Sequence, residues 1–315
     1  MAKKGRMWIP PLPKRGEGSE TSAARIVWLS APLLIPVLTP KETLMLQTLL
    51  NLWIGSRRVG AATAVALPFL SLSVVASMAF AEEPANRVYE MRTYYAAEGK
   101  LDALHSRFRD HTVKLFEKHG IANVGYFVPT ENPERKLIYW LSYPSRDAAK
   151  ASWKAFMADP DWQKAYKASE VDGKLVAKVE SLFMTAADYS PVIKSADVGK
   201  RVFELRVYTA SEGNLDRLHA RFRNHTVKLF EKHGMSNVAY WQISKDQPNS
   251  DKLLVYVISH KSADAAKESF GAFRQDADWV KARTDSEKEG GGSLTAAKDG
   301  VKSVFMQATD YSPIK

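Results

Sequence analysis

Cysteine is absent from all 315 residues, which excludes disulfides, thiolate metal centres and cysteine nucleophiles. Phosphate-cradling glycine loops are lacking too. The one glycine run, Gly290–Gly292, has no Lys-Ser/Thr behind it, and no Gly-x-Ser-x-Gly nucleophile elbow occurs. An excess of one charge is also scarce. The formal net charge is +10, but residues 1–81 hold 9 Lys/Arg against 3 Asp/Glu, so the remainder carries 36 basic and 32 acidic residues, or +4. Those basic residues alternate with acidic ones along helical stretches, as on a solvated surface, so nucleic acid is not an expected partner.

The one long charge-free run, Val59–Phe80, comes after Arg57-Arg58 and ends in Ala79-Phe80-Ala81 before Glu82-Glu83-Pro84. These read as the basic, apolar and small-residue parts of a signal peptide over about 45–81, cleaved near Ala81. The expectation is a bacterial periplasmic or secreted protein whose only membrane contact is an uncleaved signal. Residues 1–81 form the export segment, and either Met1 or Met45 is the start.

The rest of the chain is a repeat. His105-Ser-Arg-Phe-Arg-Asp-His-Thr-Val-Lys-Leu-Phe-Glu-Lys-His-Gly120 returns as His219-Ala-Arg-Phe-Arg-Asn-His-Thr-Val-Lys-Leu-Phe-Glu-Lys-His-Gly234, and each copy closes with Asp-Tyr-Ser-Pro, at 188–191 and 310–313. Two copies of about a hundred residues mean duplicated domains rather than a solenoid. The expected domains are 86–191 and 201–313, joined by a linker at 192–200.

Within each copy the order reads strand, helix, strand, strand, helix, strand, the α+β split βαβ of ferredoxin-like folds. The first strand alternates: Tyr89, Met91 and Thr93 on one side, Glu90, Arg92 and Tyr94 on the other. The second copy has apolar Phe203, Leu205 and Val207 on the first side and Glu204, Arg206 and Tyr208 on the second. A helix runs from Gly99 (Gly213) to a C-terminal glycine cap at Gly120 (Gly234), and a second begins at Ser145 (Ser262).

The first strands, Tyr89-Glu-Met-Arg-Thr-Tyr94 and Phe203-Glu-Leu-Arg-Val-Tyr208, and the shared helix with Asn-Val-x-Tyr after it resemble the NIPSNAP family of the dimeric α/β-barrel superfamily over both copies. The resemblance implies that two four-stranded sheets, one per copy, enclose a barrel between their helix-free faces as an intrachain pseudo-dimer. On that reading the Glu-Arg-Tyr faces line the space between the sheets. Relatives in the wider superfamily differ in chemistry, so the fold dictates neither a reaction nor a cofactor.

Each candidate site residue also has an ordinary structural reading. His111 and His225, at the edge of the helix's apolar stripe, are candidates for a buried base, against the commoner capped core histidine. Glu90, Arg92 and Tyr94, with Glu204, Arg206 and Tyr208, are candidates for ligand binding, against a plain same-face ion pair. His105, His219, His119 and His233 read as helix-surface or helix-end residues, and Trp140, Trp162, Trp241 and Trp279 as core. The histidine spacings do not suit metal, so no metal site is expected. Two functions remain open: binding of a small, partly apolar molecule in a barrel cavity, with oxygenase-like or proton-transfer chemistry, or a non-catalytic protein-interaction module. A filled interior and an ion-paired Glu-Arg face would favour the second. The two domains are expected to pair within the chain, with further homo-oligomerisation open.

Overall fold

The computed structural model describes residues 87–197 and 199–315. The expected export segment, with Arg57, Arg58 and Ala79-Phe80-Ala81, lies outside them. The first domain comprises β1 (Val88–Ala96), α1 (Leu101–Arg107), α2 (Val113–Lys118), β2 (Ala122–Pro129), β3 (Lys136–Tyr143), α3 (Arg146–Ala158), α4 (Pro160–Ser169) and β4 (Val176–Ala186). The second repeats it: β5 (Val202–Thr209), α5 (Leu215–Arg221), α6 (Val227–Lys232), β6 (Ser236–Ile243), β7 (Leu253–His260), α7 (Ala263–Gln275), α8 (Ala277–Glu289) and β8 (Val301–Ala308).

The strands close into one eight-stranded barrel in the order β1-β3-β2-β8-β5-β7-β6-β4, every pairing antiparallel. Two short seams join the domains. At one, Phe127, Val128 and Pro129 of β2 face Ala308, Gln307 and Met306 of β8; at the other, Met184, Thr185 and Ala186 of β4 face Ile243, Gln242 and Trp241 of β6. Closure leaves neither sheet with an open edge at these strands.

Large apolar side chains from both domains fill the interior. Phe127 and Phe203 meet at 4.9 Å, and the Trp140 and Trp241 rings stack at 5.7 Å, with Tyr89, Leu205, Val257 and Met306 around them. This corrects the expected facing of the first strand. Tyr89 and Met91, with Phe203 and Leu205, point into the barrel, whereas Glu90, Arg92, Tyr94 and their counterparts point outward beneath the helices. The reason is desolvation. Two sheet faces pressed together remove water from both sides, which suits apolar side chains, while the helix layer supplies hydrogen-bonding groups and an edge open to solvent.

The long helix of each copy is not regular. Phe108–Thr112 and Phe222–Thr226 are π-helical turns set between two α-helical pieces. A π-turn displaces one carbonyl from the α ladder, and the buried Thr112 hydroxyl donates to that of Arg107 (3.0 Å), as Thr226 does to that of Arg221 (3.2 Å). Gly120 and Gly234 end the helices with φ of +71° and +77°, as the glycine cap requires. Ser145 and Ser262 cap α3 and α7 through the amides of Ala148 and Ala265 (3.1 and 3.0 Å). Asp159 and Asp276 cap α4 and α8, and each also meets a histidine at the end of the long helix, His119 (2.6 Å) and His233 (2.7 Å). Among the described residues no helix is long and apolar enough to cross a membrane.

Candidate functional site

Glu204 and Arg206 are two residues apart on β5, so both side chains leave the same face and meet the underside of α7. The Glu204 carboxylate is buried and takes three partners. Arg206 Nη1 pairs with Oε1, Ser303 Oγ of β8 donates to Oε1 (2.5 Å), and His260 Nε2 of β7 donates to Oε2 (2.9 Å). Burial alone would raise the Glu204 carboxyl, but the His260 hydrogen bond, the Arg206 charge and Ser303 outweigh it and hold it below its usual range. Arg206 lies over the Phe270 ring of α7 (4.8 Å), and its Nη2 donates to the Tyr208 hydroxyl (3.1 Å).

This cluster is incomplete. His260 Nδ1 and Arg206 Nε are buried and have no hydrogen-bond partner, and the Tyr256 hydroxyl has the Tyr208 phenol beside it but no bond of good geometry. Each such orphan costs about 1–3 kcal/mol relative to a satisfied one. Because a carboxylate only accepts, Nε2 of His260 carries the proton of that bond, and Nδ1 is the ring nitrogen left without a partner. A carboxylate that fixes a histidine's tautomer and leaves the far nitrogen free is the arrangement of a general base. The Phe270 and Phe305 rings flank the imidazole at 5.8 and 6.1 Å, and Ser303 is exposed, so the cluster reaches solvent along the outer face of β8.

The first domain carries the same frame in finished form. Glu90 accepts from Arg92 (2.5 Å), Ser181 (2.6 Å), Tyr143 (2.8 Å) and Trp153 Nε1 (3.0 Å), and Arg92 Nε donates to Tyr139 (3.1 Å). None of these polar atoms is left over. Three substitutions between the copies account for the difference. Tyr143 and Trp153 stand where the second domain has the smaller His260 and Phe270, and Arg146 stands where it has Ala263. Arg146 lies over the Phe183 ring at 3.4 Å and pairs with Asp246 (2.9 Å), closing the flank that Phe305 leaves uncapped in the second domain.

The structure thus brings Glu204, Arg206 and Tyr208 together, and separately Glu90 and Arg92, with Tyr94 beside the Arg92 guanidinium at 5.5 Å. His111 and His225 join neither group. Both lie on the π-turns and are exposed, on the solvent side of the long helices, because Thr112 and Thr226 take the buried positions one residue later. The expectation of a buried base at these positions does not hold. His260 was not among the sequence candidates. Its signal was the single tyrosine-to-histidine difference at the end of an otherwise matching strand. Among the described residues no group of three or more His, Asp or Glu side chains gathers as metal ligands would.

The Asp-Tyr-Ser-Pro closures have a separate role, as clasps between domains. Arg109 of α1's extension grips both oxygens of Asp310 (2.5 and 2.8 Å), His105 Nδ1 meets the Tyr311 hydroxyl (2.7 Å), and the Tyr126 amide donates to Ser312 (3.0 Å). Arg223, His219 and Tyr240 grip Asp188, Tyr189 and Ser190 in the same way. A shallow surface depression of about 380 Å³ lies beside the first clasp, lined by Asp102, His105, Gln307 and Thr309 among others, away from Glu204.

The family model described as NIPSNAP matches the chain twice, over residues 89–191 and 203–313. No curated protein sequence matches the chain. Among solved structures similar to the chain, some cover about a third of it and one covers 73%. A NIPSNAP family protein of unknown function from Agrobacterium tumefaciens str. C58 is 26% identical, covering 35% of this chain and 96% of its own, with a TM-score of 0.31. An uncharacterised NIPSNAP domain protein from Burkholderia xenovorans is 22% identical over 33% of this chain and 98% of its own (TM-score 0.30). An anthrone oxidase-like protein is 10% identical over 73% of this chain and 94% of its own (TM-score 0.44).

Proposed function

Because the chain belongs to the NIPSNAP family, whose fold leaves the chemistry open, we propose that it binds a small, partly apolar molecule beneath α7 of the second domain and there abstracts a proton with His260. The observation that carries this reading is the pair of buried, unpartnered atoms, His260 Nδ1 and Arg206 Nε, in a cluster whose first-domain counterpart is fully satisfied. Buried polar atoms are almost always paired, so two orphans on the partners of one carboxylate mark a cluster that lacks a partner. Glu204 orients the imidazole, Arg206 offers a donor, and Phe270 and Phe305 supply apolar walls. The first domain then serves as scaffold, its copy of the site closed by Tyr143, Trp153 and Arg146.

A screen of aromatic fragments by NMR tests the reading. Binding should perturb the amides around Phe270, Ser303 and Phe305, leave those around Glu90 and Trp153 unmoved, and disappear in Phe270→Trp. Perturbations confined to the helix surfaces would instead support the second reading, a non-catalytic interaction module. That reading is favoured by the packed barrel interior and the occluded Glu90–Arg92 pair. We also propose export of the chain, supported by the charge-free run at 59–80 and the Ala79-Phe80-Ala81 sequence; the N-terminal residue of the mature protein, expected at Glu82, tests it.

A further inference from the structure

We infer that Tyr311 and His105 form a redox centre, in which a one-electron oxidant takes an electron from the phenol while the imidazole takes its proton. The centre lies apart from the second-domain site proposed above and does not depend on it. It is assembled only when the domains clasp, because the tyrosine comes from the tail of the second copy and the histidine from the long helix of the first.

Geometry carries this reading. The Tyr311 hydroxyl and His105 Nδ1 are 2.7 Å apart. Behind Tyr311 the first-domain core holds three more tyrosines in ring contact: Tyr126 at 5.3 Å from Tyr311, Tyr139 at 5.3 Å from Tyr126, and Tyr94 at 5.2 Å from Tyr139. An oxidised phenol is a very strong acid, so it persists where a base stands ready for its proton. Tyr126 donates to the Asn123 amide oxygen, and Tyr139 accepts from the Arg92 guanidinium (3.1 Å), groups that take no proton. Of the four, Tyr311 is the one bonded to an imidazole. Elsewhere Tyr95 and Tyr143 donate to carboxylates, Glu180 (2.9 Å) and Glu90 (2.8 Å), which are weaker bases. Burial and Arg109 hold His105 below the usual histidine range against Asp102 and Asp310, and burial holds the Tyr311 phenol above its own, so in neutral solution each enters the step uncharged. Arg109 lies 5.6 Å from the Tyr311 ring, but the two oxygens of Asp310 balance its charge (2.5 and 2.8 Å).

The second copy has the same pair, Tyr189 and His219 at 2.8 Å, in a form that resists the step. His219 is buried and its Nε2 has no partner, so an imidazolium there would carry an unsatisfied N–H. His105 is half-buried and lines the surface depression of about 380 Å³, which opens the charged ring to solvent and to an oxidant.

The step balances with the oxidant as co-reactant. The Tyr311 O–H bond breaks and an N–H bond forms at Nδ1. The electron passes to the oxidant, which is reduced by one electron, and a neutral tyrosyl radical remains beside the imidazolium. The step requires a resting pair in which the Tyr311 hydroxyl donates to Nδ1 and the ring proton sits on Nε2.

The test uses the full-length protein in a Tyr166→Phe background, which removes an exposed tyrosine, and light-generated tris(bipyridine)ruthenium(III) as the oxidant. Transient absorption and electron paramagnetic resonance should show a neutral tyrosyl radical. Tyr311→Phe should abolish that signal, and Tyr189→Phe should leave it unchanged. His105→Gln should slow its formation about a hundredfold, the lower end of what a positioned base supplies, and imidazole added to the buffer should restore part of the rate. Nitrogen NMR of the resting wild-type protein, which needs no variant to fold, should show His105 protonated at Nε2 and bare at Nδ1. A radical that survives Tyr311→Phe, a rate indifferent to His105→Gln, a tryptophan radical in place of the tyrosyl one, or a resting proton on Nδ1 would each overturn the inference.

Discussion

At the level of single residues, the two copies of one buried ion pair differ in how completely they are satisfied. Removing one partner of such a pair leaves an uncompensated charge, so Glu90→Ala and Glu204→Ala should each lower stability by about 3–5 kcal/mol in chemical denaturation. His260→Gln should cost far less, because the native ring already leaves Nδ1 unpaired and the amide can still donate to Glu204. In the first domain, Trp153→Phe removes a donor from Glu90 and should cost about 1–3 kcal/mol. Period-two alternation made Glu90, Arg92, Tyr94 and their counterparts legible as a shared face. It could not say which face was inward, since both sides of β1 are buried, one by the other sheet and one by helices. His260 escaped notice because a lone histidine at a strand end has no motif; its meaning lies in a partner 56 residues away in the chain, Glu204.

At the level of elements, the π-turns set the register of the long helices. Thr112→Val and Thr226→Val should each cost about 1 kcal/mol, the worth of the hydroxyl bond to the displaced carbonyl, with near-isosteric packing preserved; thermal melts of each variant check this. The helix itself was legible from its apolar spacing and its glycine cap. The π-turn was not, because comparing the chain with itself cancels any irregularity that both copies share. Insertions that differ between copies, such as Gly290–Gly292, were visible for the opposite reason. The caps at Asp159 and Asp276 were missed because each stands at the junction of two helices, where a helix-ending residue and a helix-starting one are the same residue.

For the whole molecule, two three-pair seams are short for holding a barrel shut, and the clasps reinforce both. Their histidines make closure sensitive to acid. Burial, together with Arg109 and Arg223 respectively, holds His105 and His219 below the usual histidine range; Asp102 and Asp310, and Asp216 and Asp188, pull the other way without reversing it. The folded state therefore takes up these protons at lower pH than the unfolded chain does. The contribution is complete above the ordinary histidine range and is lost as pH falls through the depressed values. Tm should drop as pH falls below that range, and the double variant His105→Asn/His219→Asn should flatten the slope there while leaving the steeper loss in the carboxylate range intact. The duplicated architecture was legible in the repeat, and its closure followed from the resemblance of both copies to the NIPSNAP family. The clasp was not, although its Asp-Tyr-Ser-Pro sequence was plain, because its partners lie in the other copy.

An open cluster in the second domain and a closed one in the first can be told apart most directly by a high-resolution crystal structure of the protein soaked with 4-nitrophenol. Ordered ligand density is expected within hydrogen-bonding distance of His260 Nδ1 and Arg206 Nε, with none beside Glu90. Density at both copies, at the Glu90 copy alone, or a water bridging the two orphans with the ligand absent would contradict the assignment.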